Sequence, residues 1–283
     1  MQTELRGKSR RITIDGDGPF VIIGESINPT RRKKLLEAYA ERQFQYVLEL
    51  AQAQIENGAD VLDVNVGVAG IDEVSLLPAV VQAIAATFDV PLCLDSAYPE
   101  AIAAALAVAP GRCLINSVNG KEESLDALLP VAKEFDAPLI GLVMDNDGIS
   151  MDPNERLAVA GKIIERAAQA GIPPENVIID PLVMAVGADH NAGWVTLETI
   201  ARVRQQFGVN IVLGASNVSF GLPERQIINQ AFLSMAMSRG ASCAITNPAK
   251  LTSTIRAADL LLGKDNYSMR YIKHYRQTQK SQN

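Results

Sequence analysis

The chain reads as a single (β/α)8 TIM-type barrel, an α/β fold, and three observations predict it. Eight short runs rich in Val, Ile and Leu recur along the 283 residues. Segments carrying a helical apolar stripe separate them, and no break in composition marks a linker or second domain within residues 1–283. Near-continuous apolar runs suit strands covered on both faces, as in a parallel sheet. Strand-then-helix repeated eight times is the pattern of a closed barrel. A doubly wound open sheet competes, but it rarely needs eight units.

The predicted strands are Val21–Glu25, Val61–Val66, Pro91–Asp95, Cys113–Asn116, Pro138–Met144, Val177–Asp180, Ile211–Ala215 and Ala241–Thr246. Successive starts lie 40, 30, 22, 25, 39, 34 and 30 residues apart, which leaves room for a helix in each gap. In the first gap Phe44, Val47, Leu48, Ala51 and Ile55 fall on one stripe, and Gly58 supplies a stop. Val74, Leu77, Val81, Ile84 and Phe88 repeat that pattern before the third strand. Ile227, Ile228, Ala231, Phe232 and Met235 do so before the eighth, and Leu251, Ile255, Ala258 and Leu262 form a last helix ending near Gly263.

Residues 1–19 read as an N-terminal extension, polar and basic from Met1 to Arg11 without the apolar centre of a secretory signal. Residues 264–283 read as a polar, basic tail with Tyr267, Tyr271 and Tyr275 every four residues. That spacing suits a helix docked on the barrel or on a partner subunit, and equally a solvated tail.

Composition excludes several functions. A net charge of -6 argues against a nucleic-acid groove, which needs a basic face. No apolar run approaches the roughly 20 residues of a membrane span. Cys93, Cys113 and Cys243 each sit in an apolar run with no C-x-x-C pair. Structural zinc and a disulfide framework are therefore not expected, and a reducing cytoplasm is.

Barrel enzymes carry their chemistry at the C-terminal ends of the strands. Those ends read Glu25-Ser26 and Asn28, Asp63 and Asn65, Asp95-Ser96, Asn116-Ser117 and Asn119, Asp145-Asn146, Asp180, Ser216-Asn217, and Asn247. One Asp or Asn after a strand is usually a helix cap. The same ending repeated around a barrel points instead to a ring of amides and carboxylates. Such a ring, without basic residues at the tips, suits a phosphorylated substrate poorly. A metal held by Asp63, Asp95 and Asp180 is the weaker reading, since no His supports it. A flat heterocycle with both donors and acceptors fits best, because a carboxylate can accept from an exocyclic amine and the adjacent ring N–H together. A pterin has that edge.

The blocks "IIGESINPT" (22–30), "DVLDVNVG" (60–67), "PLCLDS" (91–96), "INSVNG" (115–120), "IDPLV" (179–183), "GASNVSFGLP" (214–223) and "INQAFLSMAM" (228–237) fall in register with the strands. Taken together, the chain resembles the methyltetrahydrofolate:corrinoid methyltransferases of the pterin-binding barrel family, and the folate module of cobalamin-dependent methionine synthase. Dihydropteroate synthases share that superfamily but carry a basic Ser-Arg-Lys type sequence after the seventh strand. Here Ser216-Asn217-Val218 stands in that place, which favours methyl transfer over release of pyrophosphate. A barrel that binds folate without turnover is the remaining alternative.

The resemblance implies methyl exchange between N5 of tetrahydrofolate and the cobalt of a corrinoid. It makes Asn217 the residue beside N5 and, with Asp180, the catalytic pair. Asp180 is assigned to the 2-amino and N3–H edge of the pterin, and Asp95 with Asn116 to the opposite edge. Gly214 and Ser216 are assigned to close approach of the ring, Asn65 and Asn28 to further contacts or to bracing the loops. Arg225 matches a family arginine beside the pocket, or else makes an ion pair on a helix surface. Phe220 stands where acetogen-type enzymes of the family carry a polar side chain and methionine synthases carry Phe, which implies stacking or packing there. The corrinoid signature D-x-H-x-x-G is absent, since "ADHNAG" (188–193) has the wrong spacing and leaves His190 a loop residue. A cobalamin-bearing partner protein is therefore expected, with a homodimer, no tightly bound metal, no nucleic acid and no membrane.

Overall fold

The protein, analysed as a computed structural model, is described over residues 1–68 and 70–282. An antiparallel pair comes first, β1 (Gln2–Arg6) and β2 (Arg11–Asp15). There follow β3 (Val21–Ile27), α1 (Lys33–Ala40), α2 (Gln45–Glu56), β4 (Val61–Asn65), α3 (Glu73–Thr87), β5 (Leu92–Asp95), α4 (Pro99–Val108), β6 (Leu114–Asn119), α5 (Glu122–Glu134) and β7 (Leu139–Leu142). The chain continues through α6 (Pro153–Gln169), β8 (Val177–Asp180), α7 (Ala192–Phe207), β9 (Asn210–Gly214), α8 (Arg225–Ser238), β10 (Cys243–Thr246), α9 (Pro248–Leu261) and α10 (Met269–Gln282). Strands β3 to β10 run parallel in sequence order, and β10 closes on β3. The predicted barrel is present, with all eight predicted strands in place.

Two apolar cores hold it. The larger lies between the strands and the surrounding helices. The smaller contains Val21, Ile23, Val61, Cys93, Leu114, Ile140, Ile178, Val212 and Cys243, the inward-facing residues of the barrel's lower end, together with Leu5 and Ile14. The N-terminal pair is therefore a plug that seals the bottom of the barrel. Asn210 at the start of β9 fixes it, its amide donating to the Ile14 carbonyl (2.8 Å) and to Thr3 Oγ1 (2.9 Å).

Helix faces depart from the predicted stripes at the ends. Val74 in α3 is exposed, as are Ile227 and Met235 in α8. The buried face of α8 is instead Phe232, Leu233, Ala236 and Met237. This helix is apolar on two sides, so periodicity alone could not show which side meets the barrel.

The tail forms helix α10 against α9. Asp265 accepts from the backbone N–H groups of Arg270 (3.0 Å) and Tyr271 (2.9 Å), satisfying donors that the first turn leaves open. Arg270 reaches Asp259 (3.6 Å) and Asp60 (3.9 Å), and Asp259 also accepts from Phe20 N–H just before β3 (3.0 Å). Ion pairing docks the tail; Tyr267, Tyr271 and Tyr275 all remain exposed. Among the described residues no helix is long and apolar enough to cross a membrane.

Candidate active site

Side chains alternate along a strand, so the inward face continues upward two residues at a time. Above Ile23 comes Glu25, above Val61 come Asp63 and Asn65, and above Cys93 comes Asp95. Asn116 follows Leu114, Asp180 follows Ile178 and Gly214 follows Val212. On β3, β4, β5, β6 and β8 the barrel interior thus turns from apolar to polar within one step, whereas Leu142 on β7 and Ile245 on β10 keep it apolar.

Register brings three of these residues side by side, because Asp95 pairs with Asn65 on one flank and Asn116 on the other. Asn65 Nδ2 donates to Asp95 Oδ2 (2.8 Å), while its Oδ1 accepts from Gly67 N–H (2.8 Å). Asn116 Nδ2 donates to Asp63 Oδ1 (3.2 Å). Asp63 is fully enclosed, and burial, with the Asp95 charge second, raises its carboxyl above the usual range. Burial likewise raises Asp95, despite the bond from Asn65. Two carboxyls so placed resist ionising together.

On the far side Asp180 is also buried, and burial pushes its carboxyl up to about 6. The Leu182 N–H (2.8 Å) and the Arg156 charge oppose that rise. Arg156 is itself wholly buried in α6 and donates to the carbonyls of Pro181 (2.7 Å) and Leu182 (2.9 Å) and, through Nε, of Ser150 (2.6 Å). It fixes the loop above β8. Sequence reasoning missed it, since a lone arginine in an amphipathic helix carries no distinguishing signal.

The tip of β9 passes into a short turn, Ala215–Ser219. Asn217 is exposed there, and its Nδ2 lies 3.1 Å from the point where a Cβ on Gly214 would stand. Glycine at 214 therefore lets the amide fold back over the strand end. Among the described residues the Asn217 side chain has no hydrogen-bond partner, which leaves it free for a ligand. Ser216 Oγ donates to Glu25 Oε2 across the β3–β9 side of the mouth (3.4 Å), and burial raises the Glu25 carboxyl. Arg225 Nη2 donates to the Ser216 carbonyl (2.7 Å) and Nε to Ser219 Oγ (3.0 Å). Arg225 clamps the turn, and no ion pair forms at it among the described residues. A cavity of about 170 Å³ opens between Glu25, Ser216, Arg225, Asn229, Asn247 and Lys250.

Other polar tips serve their own loops. Asn28 Oδ1 accepts from Thr30 N–H (3.0 Å), Asn119 Oδ1 from Lys121 N–H (2.9 Å) and Asp145 Oδ1 from Asp147 N–H (3.0 Å). Among the described residues no group of three or more His, Cys, Asp or Glu converges as a metal site. Sequence reasoning placed Glu25 at a strand tip without using it, and passed over Lys250.

Comparison with known proteins gives the family. A family described as pterin binding enzyme matches residues 24–247. The chain is 31% identical to a methylcorrinoid:tetrahydrofolate methyltransferase of Eubacterium limosum, over 91% of this chain and 97% of that one. It is 29% identical to the methionine synthase of Mycobacterium tuberculosis over 83% of its own length, but spans only 21% of that longer protein. Solved structures with the same fold include a Yersinia pestis dihydropteroate synthase bound to a pterine-sulfa conjugate (TM-score 0.71, 19% identity, 93% of this chain and 100% of that one). Another is a Xanthomonas albilineans dihydropteroate synthase with 4-aminobenzoic acid (TM-score 0.72, 22% identity, 92% and 98%). At those identities the likeness is one of fold.

Proposed function

The chain belongs to the pterin-binding enzyme family, and from that premise we propose that it is a methyltransferase acting between N5 of tetrahydrofolate and the cobalt of a corrinoid. One observation carries the reading. The β9 tip presents Asn217, an uncharged amide free of protein partners among the described residues, in the turn where dihydropteroate synthases carry a basic Ser-Arg-Lys type sequence. The similarity to a methylcorrinoid:tetrahydrofolate methyltransferase along nearly its whole length supports it.

In this reading Asp180 accepts from the 2-amino and N3–H groups of the pterin. Asp95 and Asn116 take the opposite edge, and Asn65 holds Asp95 in place. The methyl leaves N5 as a cation equivalent, so the bonding pair stays on nitrogen. A methylated amine is a poor leaving group, and a positioned polar contact at N5 is worth roughly 3 kcal/mol in the transition state. The Asn217 amide can rotate to donate to N5 or to accept from its proton as the charge there changes. The corrinoid enters as a second substrate on a separate protein, supplying the cobalt that exchanges the methyl. His190, exposed in a loop, is not arranged to hold it. Three buried free cysteines support a cytoplasmic, reducing setting.

The reading extends to a homodimer through the flank of the barrel. Trp194, Ile227 and Met235 line an exposed apolar groove of about 490 Å³ between α7 and α8, and pairing there leaves the mouth clear. Sedimentation of the purified protein at the mass of two chains checks it.

The activity test uses free cob(I)alamin as acceptor. Methyltetrahydrofolate should be demethylated with formation of methylcobalamin, and not at all without the corrinoid. A barrel that only binds folate would show affinity and no transfer. Incorporation of p-aminobenzoate into a pterin would reassign the chain to dihydropteroate synthesis.

A further inference from the structure

We propose that Arg156 is a positioning residue of the binding site: its buried guanidinium holds the Asp180-Pro181-Leu182 turn in the bent form that fixes the Asp180 carboxylate for a ligand. The inference deepens the folate reading above, on which the identity of the ligand rests, and concerns a residue that itself touches no substrate.

Arg156 is the largest wholly buried side chain among the described residues. Among those residues it forms no salt bridge, whereas the buried Arg256 pairs with Asp60 (3.7 Å) and Asp259 (3.6 Å). A guanidinium taken out of water without a counter-ion is costly for stability, and a methionine would fill similar space without that cost. What Arg156 has instead is a set of neutral acceptors. They are the carbonyls of Ser150, Pro181 and Leu182, with Met151 Sδ at 3.9 Å. A cation kept at such a cost is explained by what those bonds hold in place.

Both Nη1 bonds end on successive carbonyls of the loop after β8, at 2.7 and 2.9 Å. Leu182 sits there at φ 61, in the left-handed region that disfavours any residue with a Cβ. Its carbonyl has a further donor in the buried Thr196 hydroxyl (3.4 Å). The bend turns the Leu182 N–H back onto Asp180 Oδ1 (2.8 Å). Asp180 Oδ2 has no hydrogen-bond partner among the described residues and is left to a ligand.

A carboxylate that accepts two ligand donors side by side must keep its plane. The Leu182 N–H fixes that plane, and Arg156 fixes Leu182. The guanidinium also lies near enough to favour the ionised form of Asp180, the form that accepts from both donors. Arg156 therefore acts on recognition through the turn, from outside the ligand's reach.

Three substitutions test the chain of contacts. Arg156→Met removes the fork and the charge, Arg156→Lys keeps the charge, and Leu182→Gly removes the side chain that makes the bend costly. Calorimetry with 6-methyltetrahydropterin should show Arg156→Met weakening binding about tenfold and Arg156→Lys about threefold. In the Leu182→Gly background Arg156→Met should cost no more than about twofold, because glycine takes the bend without a clamp. Hydrogen exchange reads the same clamp with no ligand present. Arg156→Met should speed exchange of the Leu182 N–H about tenfold, while the Leu62 N–H, bonded to the Pro91 carbonyl in the barrel wall, changes less than about twofold. If Arg156→Met does not fold, Arg156→Lys carries both comparisons at about threefold. Equal losses of affinity in the two backgrounds overturn the proposal, as does equal acceleration at Leu182 and Leu62, the mark of a merely structural role. Failure of the wild type to bind the pterin would overturn the folate reading instead, and the exchange ratio would still decide the clamp.

Discussion

Ile178 and Asp180 point into the same barrel from the same strand, two residues apart, and contribute in opposite ways. Ile178 joins a sealed apolar cluster closed from below by Leu5 and Ile14. Asp180 is equally enclosed but carries a carboxyl that burial pushes up to about 6. The contrast repeats at Val61 and Asp63, at Cys93 and Asp95, and at Leu114 and Asn116. The lower end gains free energy by removing apolar surface from water. The upper end spends part of it, since buried carboxyls whose burial outweighs their few partners are poor for stability. What they offer is a set of acceptors held in place for a ligand. A barrel with one end closed can keep the other end costly.

The sharpest way to break that division is to open the closed end. Ile14→Ala removes buried methylenes from the plug and should lower stability by about 2–5 kcal/mol. Urea unfolding measures it. Transfer rates below the unfolding range should stay at the wild-type value, because Ile14 lies at the opposite end of the barrel from Asn217. A matching fall in rate under those conditions would show that the plug positions the mouth.

Asn217→Ala should do the reverse. Loss of the amide at N5 should slow methyl transfer about 10²-fold, or about 2.7 kcal/mol. Stability should change by no more than about 0.5 kcal/mol, because the side chain is exposed and makes no protein contact worth that much. Single-turnover kinetics across a folate titration separates rate from affinity. A loss confined to affinity would make Asn217 a recognition residue.

The barrel was legible because its strands are short apolar runs at regular intervals, and Val177–Asp180 falls at the expected residues at both ends. The polar ring was legible for a related reason: strand ends are where apolar runs stop. The plug was not read, although Thr3 and Leu5, then Ile12 and Ile14, keep the alternation of a half-buried hairpin. Each run is five residues long and lies among basic side chains, so local composition outweighed the period. Which ring members face inward was also not legible. Asn28, Asn119 and Asp145 look like Asn65 and Asp95 in sequence, yet each turns back to its own loop. Parity counted from the apolar residues below would have separated several of them, and Arg156 would still have been missed.

The smallest effect should be a gain. Asp180→Asn keeps an acceptor for Leu182 N–H and removes the carboxyl. Folate binding should weaken by about 1–3 kcal/mol, since one of two acceptors facing the pterin donors becomes a donor. Stability at neutral pH should rise. The wild-type carboxyl titrates near 3.8 when unfolded and at about 6 when folded, so the unfolded chain releases its proton first. Folding is then unpenalised below the unfolded value and loses stability as pH climbs from about 4 to 6. The full shift, which already includes the attraction to Arg156, corresponds to about 3 kcal/mol; the burial of a new amide donor should reduce the net gain to about 1 kcal/mol. Urea midpoints from pH 4.5 to 7.5 read it directly. The variant's advantage should be small at the acid end, grow through pH 6 and then level off. A constant difference would mean that Asp180 titrates normally and that the upper end of the barrel costs less than its burial implies.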